Sequence, residues 1–575
     1  MAPSARGARL RARIPAMRLP PFFGLSLVSA SLCALLAAAP AHAAAGRQTV
    51  CTITVNSSNE KQAFERYLPQ SHFDFVELVE RGRPDWLESA RRKGIRCDIL
   101  VISGHYDGGD YAGGNEFFSE HVESREYLPV DEMERVACSD PVDGPFAHLK
   151  AVYLFGCNTL NPVALRSAPE EIARTLVQSG HSPDEAARLA REMSPRFADS
   201  SRDRMRHIFR NVPAIYGFSS VAPLGPVAAT YLDRYFQSGG AQEVAAGRPG
   251  GRLLAYFPGH SLTLTRGSVD ADPDAGFRRD VCRFQDERLS PAARAQFVHA
   301  LLRRDMAEVR LFLDRLERYA AAVAQRDDDS PGLTSELAAI ADDGTARDRF
   351  VAFMHATDDT TLSVRLIDLA QKLGWLSADE RLAELGRVVS GRYAHPVLTA
   401  ADVDFVCKLN ASHALDHTRD GLGEADDVGH AAIRACLGDV AQRPRLLAAL
   451  TSPGEADVQI AQVYLQYQPL ADADEVRDVT SGIGRMSDAG AQVRALDALA
   501  DHRVADREAL ENLARLFPLA RTIDVQRAIA GVLIRADFEA IDTPQLVRTL
   551  REHRFRSRDG RDLIDVLIDR LGSPA

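Results

Sequence analysis

Three continuous apolar runs constrain this chain more than any other feature: CDILVIS (97–103), LKAVYLF (149–155) and VPAIYGF (212–218). A strand with one wet face alternates apolar and polar residues, whereas a strand covered on both faces stays apolar throughout. Runs of this kind therefore require a sheet with helices on each side. The β-branched run TVCTITV (49–55), bounded by Asn56-Ser57-Ser58, adds a first strand, and FDFVELV (73–79) a second. Helix starts stand between the runs: Ser167-Ala168-Pro169-Glu170 and Ser182-Pro183-Asp184-Glu185 each join a capping residue to a proline in the first turn. Over residues 44–266 this alternation predicts an α/β fold, a mainly parallel sheet flanked by helices. Ligand sites in such sheets collect at the carboxyl ends of the strands.

After about Asp280 no run reads as a strand, and Ala, Leu, Arg and Asp dominate. Residues 267–290 are expected to form a linker, and residues 291–575 an all-helical domain. Three segments there look alike: ADVQIAQVYLQ (456–466), AQVRALDALAD (491–501) and IDVQRAIAGVL (523–533). Aligning them on Val458, Val493 and Val525 gives steps of 35 and 32 residues. Each has an apolar face at helical spacing. A period of this size implies stacked helix pairs, and the segments resemble HEAT-type repeats. The Asp-rich stretches ADPDAG (271–276) and RDDDSPG (326–332) read as solvated connections, because they lack the ligand spacing of a calcium loop. The basic ARRKGIR (90–96) reads as the end of a helix, complementing its dipole.

The first 43 residues stand apart. Five arginines without balancing acids precede FFGLSLVSASLCALLAAAP, and Ala41-His42-Ala43 follows as a cleavage site. That order is a secretory signal peptide, so the expected location is periplasmic or secreted. No later segment is apolar enough to span a membrane. The net charge of −11 contains no basic tract, which disfavours nucleic acid as a partner. Seven cysteines lie beyond the leader: Cys51, Cys97, Cys138, Cys157, Cys282, Cys407 and Cys436. Export permits disulfides, and an odd number leaves at least one thiol unpaired in a monomer. Cys407 with Cys436, and Cys51 with Cys97, are plausible pairs; which cysteine is left over stays open.

Two strand ends carry the candidate chemistry. One apolar run ends in Gly104-His105 and a Gly-rich loop; another ends in Gly156-Cys157. If the strands are parallel neighbours, both side chains emerge at one edge. A sulfur nucleophile needs a proton acceptor, which imidazole supplies near neutral pH. Backbone N–H groups at a strand-to-loop turn can hold the oxyanion. Gly104, Gly108, Gly109 and Gly156 would let a substrate backbone approach closely. Read singly, Cys157 is more often a core filler or half of a disulfide, and a loop histidine is usually only solvated.

Together, DILVISGH and AVYLFGC resemble the caspase-like cysteine peptidases, a group that includes caspases, legumains, gingipains, clostripain and CHAT-type domains. The resemblance covers residues 49–240, with VPAIYGFSSVAPLGPVAATYLDRYF (212–236) as the strand, loop and helix after the nucleophile. The interval of about 50 residues from His to Cys in caspases also fits. The resemblance implies that Cys157 is the nucleophile and His105 the proton-transfer partner. It implies an oxyanion hole from the Cys157 N–H and an N–H near residue 106, with Tyr106, Gly108 and Gly156 against the substrate. The substrate implied is a protein or peptide, and no cofactor is required. The family usually has Gly where Tyr106 stands; a side chain there is expected either to crowd the scissile carbonyl or to go with a shifted loop in which Gly108 or Gly109 serves instead. The alternative is a catalytically inactive caspase-like scaffold whose helical half binds envelope proteins. His121, His148, His181 and His207 show no metal-ligand spacing with cysteines. GHYDGGDYAGG lacks both the P-loop and dinucleotide patterns.

Overall fold

A computed structural model of the chain describes residues 47–575, except 79–85, 107–114, 120–125, 164–168, 197–199, 248–249, 326–330, 538–542, 557–559 and 573–575. The leader, the Ser167 capping box, and Asp107, Gly108, Gly109 and Asp110 thus lie outside the described residues.

The described residues hold nine strands: β1 (Gln48–Thr54), β2 (Phe73–Glu77), β3 (Ile99–Ser103), β4 (His105–Tyr106), β5 (Glu116–Phe118), β6 (Tyr127–Pro129), β7 (Ala151–Phe155), β8 (Ile215–Phe218) and β9 (Leu262–Thr265). Six form the main sheet in the order β2-β1-β3-β7-β8-β9, parallel except for β9 at the edge. The five strands read from the sequence are β1, β2, β3, β7 and β8. The antiparallel β9 was not anticipated. Nor was the small antiparallel sheet β4-β5-β6, which rises from the end of β3.

The period-two geometry of a strand explains the continuous apolar runs. Leu100, Ile102, Val152 and Leu154 enter one core, while Ile99, Val101, Ala151, Tyr153 and Phe155 enter another on the opposite face. Both cores need helical cover. Helices α1 (Asn59–Tyr67), α2 (Val130–Ser139), α3 (Ser201–Ile208) and α4 (Gly225–Tyr235) provide it. Phe64 of α1 and Leu232 of α4 pack on the Tyr153 face; Met133 of α2 and Met205 of α3 pack on the other. The helix Pro183–Met193 begins as expected, with the Ser182 side chain accepting from the Glu185 N–H.

The segment 267–290 contains helix α5 (Ala275–Gln285), tied to α2 by the Cys138–Cys282 disulfide. The aspartates of ADPDAG are not solvated, which corrects the sequence reading. Asp274 takes the buried His207 ring at 2.8 Å and Asp272 takes Arg206 at 2.7 Å, both from α3. A cation and an imidazole on the facing helix make an acidic stretch an anchor. Further along lies α6 (Leu313–Ala324), whose Arg315 reaches back to α2 and grips the buried Glu134 through two bonds of 2.8 and 3.0 Å. Burial raises the Glu134 carboxyl, but Arg315 and Arg204 more than reverse this and hold it down to about 2.

Beyond α5 every described element is helical. Helices α7 (Glu455–Tyr467), α8 (Ala473–Ile483), α9 (Ala489–Ala500), α10 (Arg507–Leu516), α11 (Ile523–Arg535) and α12 (Leu563–Gly572) lie in two layers. α7, α9, α11 and α12 pack in succession as one layer, with α8 against α10 in the other. The three similar segments fall on α7, α9 and α11. Their burial, however, repeats evenly at 34 residues: Val458, Gln492 and Gln526 occupy equivalent buried places, as do Leu465, Leu499 and Leu533. The valine alignment is thereby corrected. Gln492 Nε2 donates to the carbonyls of Ile483 and Met486, and Gln526 Nε2 to those of Phe517 and His553. A buried amide thus closes the end of the preceding helix, at the place where Val458 packs as a hydrocarbon.

Candidate functional site

β3 and β7 are parallel neighbours with Ser103 opposite Phe155. Adjacent strands lie about 4.8 Å apart. His105 and Cys157 each stand two residues past that matched pair, so both leave the sheet at its carboxyl edge. The turns touch: a side chain built on Gly156 would sit 2.8 Å from the Gly104 carbonyl oxygen and 3.0 Å from Tyr106 Cβ. The backbone around His105 thus packs directly on the residue before Cys157. The glycine at 156 is required by this internal approach.

Cys157 is partly exposed and is the only described cysteine outside a disulfide. Cys51–Cys97, Cys138–Cys282 and Cys407–Cys436 account for the other six. The two pairings proposed from sequence are both present. The disulfide reading of Cys157 is therefore removed, and its partial exposure argues against a core filler.

The turn after the sulfur is tightly specified. Asn158 adopts φ 59°, a left-handed conformation uncommon outside glycine. Its N–H donates to the Ser220 carbonyl at 2.7 Å, tying the turn to the loop after β8. The fully buried Thr159 hydroxyl donates to the Gly156 carbonyl at 3.1 Å and accepts from the Phe218 N–H at 3.0 Å. The loop then passes over the sulfur, and the Ala222 N–H meets Cys157 Sγ at 3.3 Å. No acceptor for the Cys157 backbone N–H stands among the described residues. That is one of the two donors an oxyanion hole needs.

His105 and Tyr106 form β4 and pair with Phe118 and Phe117. Alternation sends the Tyr106 ring inward, where it is 3% exposed, packs 4.9 Å from Phe117 and donates its hydroxyl to Asn115. The ring thus leaves the rim for the core. His105 is less buried and packs 5.5 Å from Phe118.

Two groups at this edge were missed by sequence reading. Thr159 is one; its signal was the G-x-x-T spacing across the turn, which suits a hydroxyl-to-carbonyl latch. Glu60 is the other, buried at the start of α1, where it takes Ser57 Oγ at 3.2 Å and also bonds Ser103. Burial pushes its carboxyl up, against its own backbone N–H, Ser57 and Ser103. No group of His, Cys, Asp and Glu able to hold a metal is found among the described residues. No described helix is long and apolar enough to cross a membrane.

Comparison with protein-family models, curated proteins and solved structures finds no match for this chain.

Proposed function

We propose that the chain is an exported cysteine endopeptidase of caspase-like type, acting through Cys157 and His105. The observation that carries this reading is one thiol left unpaired among seven described cysteines, at a strand end in register with the end that bears His105. His105 takes the Cys157 thiol proton as the sulfur attacks the peptide carbonyl, forming a carbon–sulfur bond and a tetrahedral oxyanion. The Cys157 N–H donates to that oxyanion, and His105 passes a proton to the departing amine. A thioester remains. His105 then takes a proton from water, which attacks the thioester and releases the acid and the free sulfur. The stacked helices, HEAT-like in sequence, would present a long surface to a protein partner or substrate.

An acyloxymethyl-ketone probe tests the reading. Labelling of Cys157 is expected in the folded chain, lost in Cys157→Ala and reduced at least tenfold in His105→Ala. Equal labelling of native and denatured chain, indifferent to His105, would leave only the non-catalytic scaffold.

A further inference from the structure

On the opposite rim of the sheet, a cleft of about 50 Å3 opens between the ends of α2 and α3 and the flank of α5. Phe146 and Ile208 form its apolar floor, and Arg210, Asn211, Arg278 and Asp140 bring polar groups to it. The two guanidinium groups stand in unlike states. Arg210 is committed, its Nη2 shared between both oxygens of Asp270 at 2.5 Å. Arg278 uses only Nε, which donates to the His207 carbonyl at 2.8 Å. Its Nη groups have no acceptor among the described residues, and no carboxylate pairs with it there.

A guanidinium drawn out of water needs compensation, because desolvation favours the neutral form. Here burial, then the like charge of Arg210, lowers Arg278 to about 10; Asp270 and Glu134 oppose this from a distance. The planar fork of arginine matches two oxygens of one carboxylate or phosphate. The Cys138–Cys282 disulfide fixes α5 beside α2, so Arg278 is held toward Ala137 at the cleft wall.

We propose that this cleft binds one small oxyanion, a phosphate or a carboxylate, through the Arg278 fork with Arg210 beside it. Asp140 is the opposing charge. It lies 3.6 Å from Arg91, which offsets it in part, and it restricts the site to ligands small enough to stay on the arginine side. The site is separate from Cys157: the length of β7 lies between the two rims, about 16 Å at strand rise.

Thermal unfolding and titration calorimetry of the full chain test this, using sodium phosphate and sodium acetate against sodium chloride at matched ionic strength. A saturable rise in Tm with phosphate, acetate or both is expected, the two arms separating tetrahedral from planar ligands. The affinity should fall at least tenfold in Arg278→Gln, fall less in Arg278→Lys, and rise in Asp140→Asn. If Arg278→Gln fails to fold, Arg278→Lys and Arg210→Gln decide by the same readout. No saturable response to either oxyanion, or equal affinity in the folded arginine variants, overturns the proposal.

Discussion

The Glu134–Arg315 pair joins α2 of the sheet domain to α6 of the helical half, and its strength can be worked out. Glu134 is 3% exposed and carries two bonds from Arg315, with Arg204 at 4.0 Å. Folding lowers its carboxyl from 4.5 to about 2, which corresponds to about 3 kcal/mol at neutral pH. Because the folded value is the lower one, this stability is fully present above 4.5 and is lost as pH falls toward 2. Glu134→Gln should therefore cost about 3 kcal/mol in urea unfolding near neutral pH, within the usual range for breaking one side of a buried pair. The gap between wild type and variant should narrow by about 2 kcal/mol on going to about pH 3, where the carboxyl of the unfolded chain is protonated while the folded one is still mostly ionised. Glu134→Leu combined with Arg315→Met, which removes both charges, should cost less than Glu134→Gln alone. A gap that does not change with pH would refute the electrostatic reasoning and leave only a packing effect.

Two further outcomes follow from the same geometry. Thr159→Val leaves the buried Phe218 N–H and Gly156 carbonyl without their partner; it should cost about 1–3 kcal/mol in urea unfolding and weaken probe labelling of Cys157. Cys138→Ser with Cys282→Ser opens a link across 144 residues; chain entropy puts the loss near 5 kcal/mol, to be read as a lowered unfolding midpoint.

The elements legible in the sequence were those whose burial is symmetric. β3 and β7 are apolar on both faces, so their type follows from the residues alone; that they are parallel neighbours was a condition of the reading, which the register meets. β9 hid because LTLT is half-buried throughout and no apolar run marks it. β4 hid because two residues carry no periodicity. The repeat period was misjudged because Gln492 and Gln526 are buried for their hydrogen bonds, and an alignment on valine cannot see that. Asp272 and Asp274 misled for the same reason: whether a carboxylate is solvated depends on the cation facing it, here 60 residues and more away in the chain. Of the candidate site, Cys157, His105 and their shared rim were readable. The latch on Thr159 and the buried Glu60 depend on contacts between loops, which spacing does not encode.

Tyr106 stands where the caspase-like pattern proposed for this chain has glycine. A glycine after the histidine would leave the rim free but would also leave β4 with little to hold it. Tyr106 replaces that freedom with an anchor: its ring packs on Phe117 and its hydroxyl bonds Asn115, both on the far side of β4 from His105. Successive residues of a strand point to opposite faces, so burying Tyr106 places the imidazole on the other face of β4, where it packs on Phe118. Gly156 completes the arrangement, since only a residue without Cβ lets the turn carrying His105 pass 2.8 Å from its own Cβ position. The tyrosine and the close turn at Gly156 thus hold the backbone at His105 by packing.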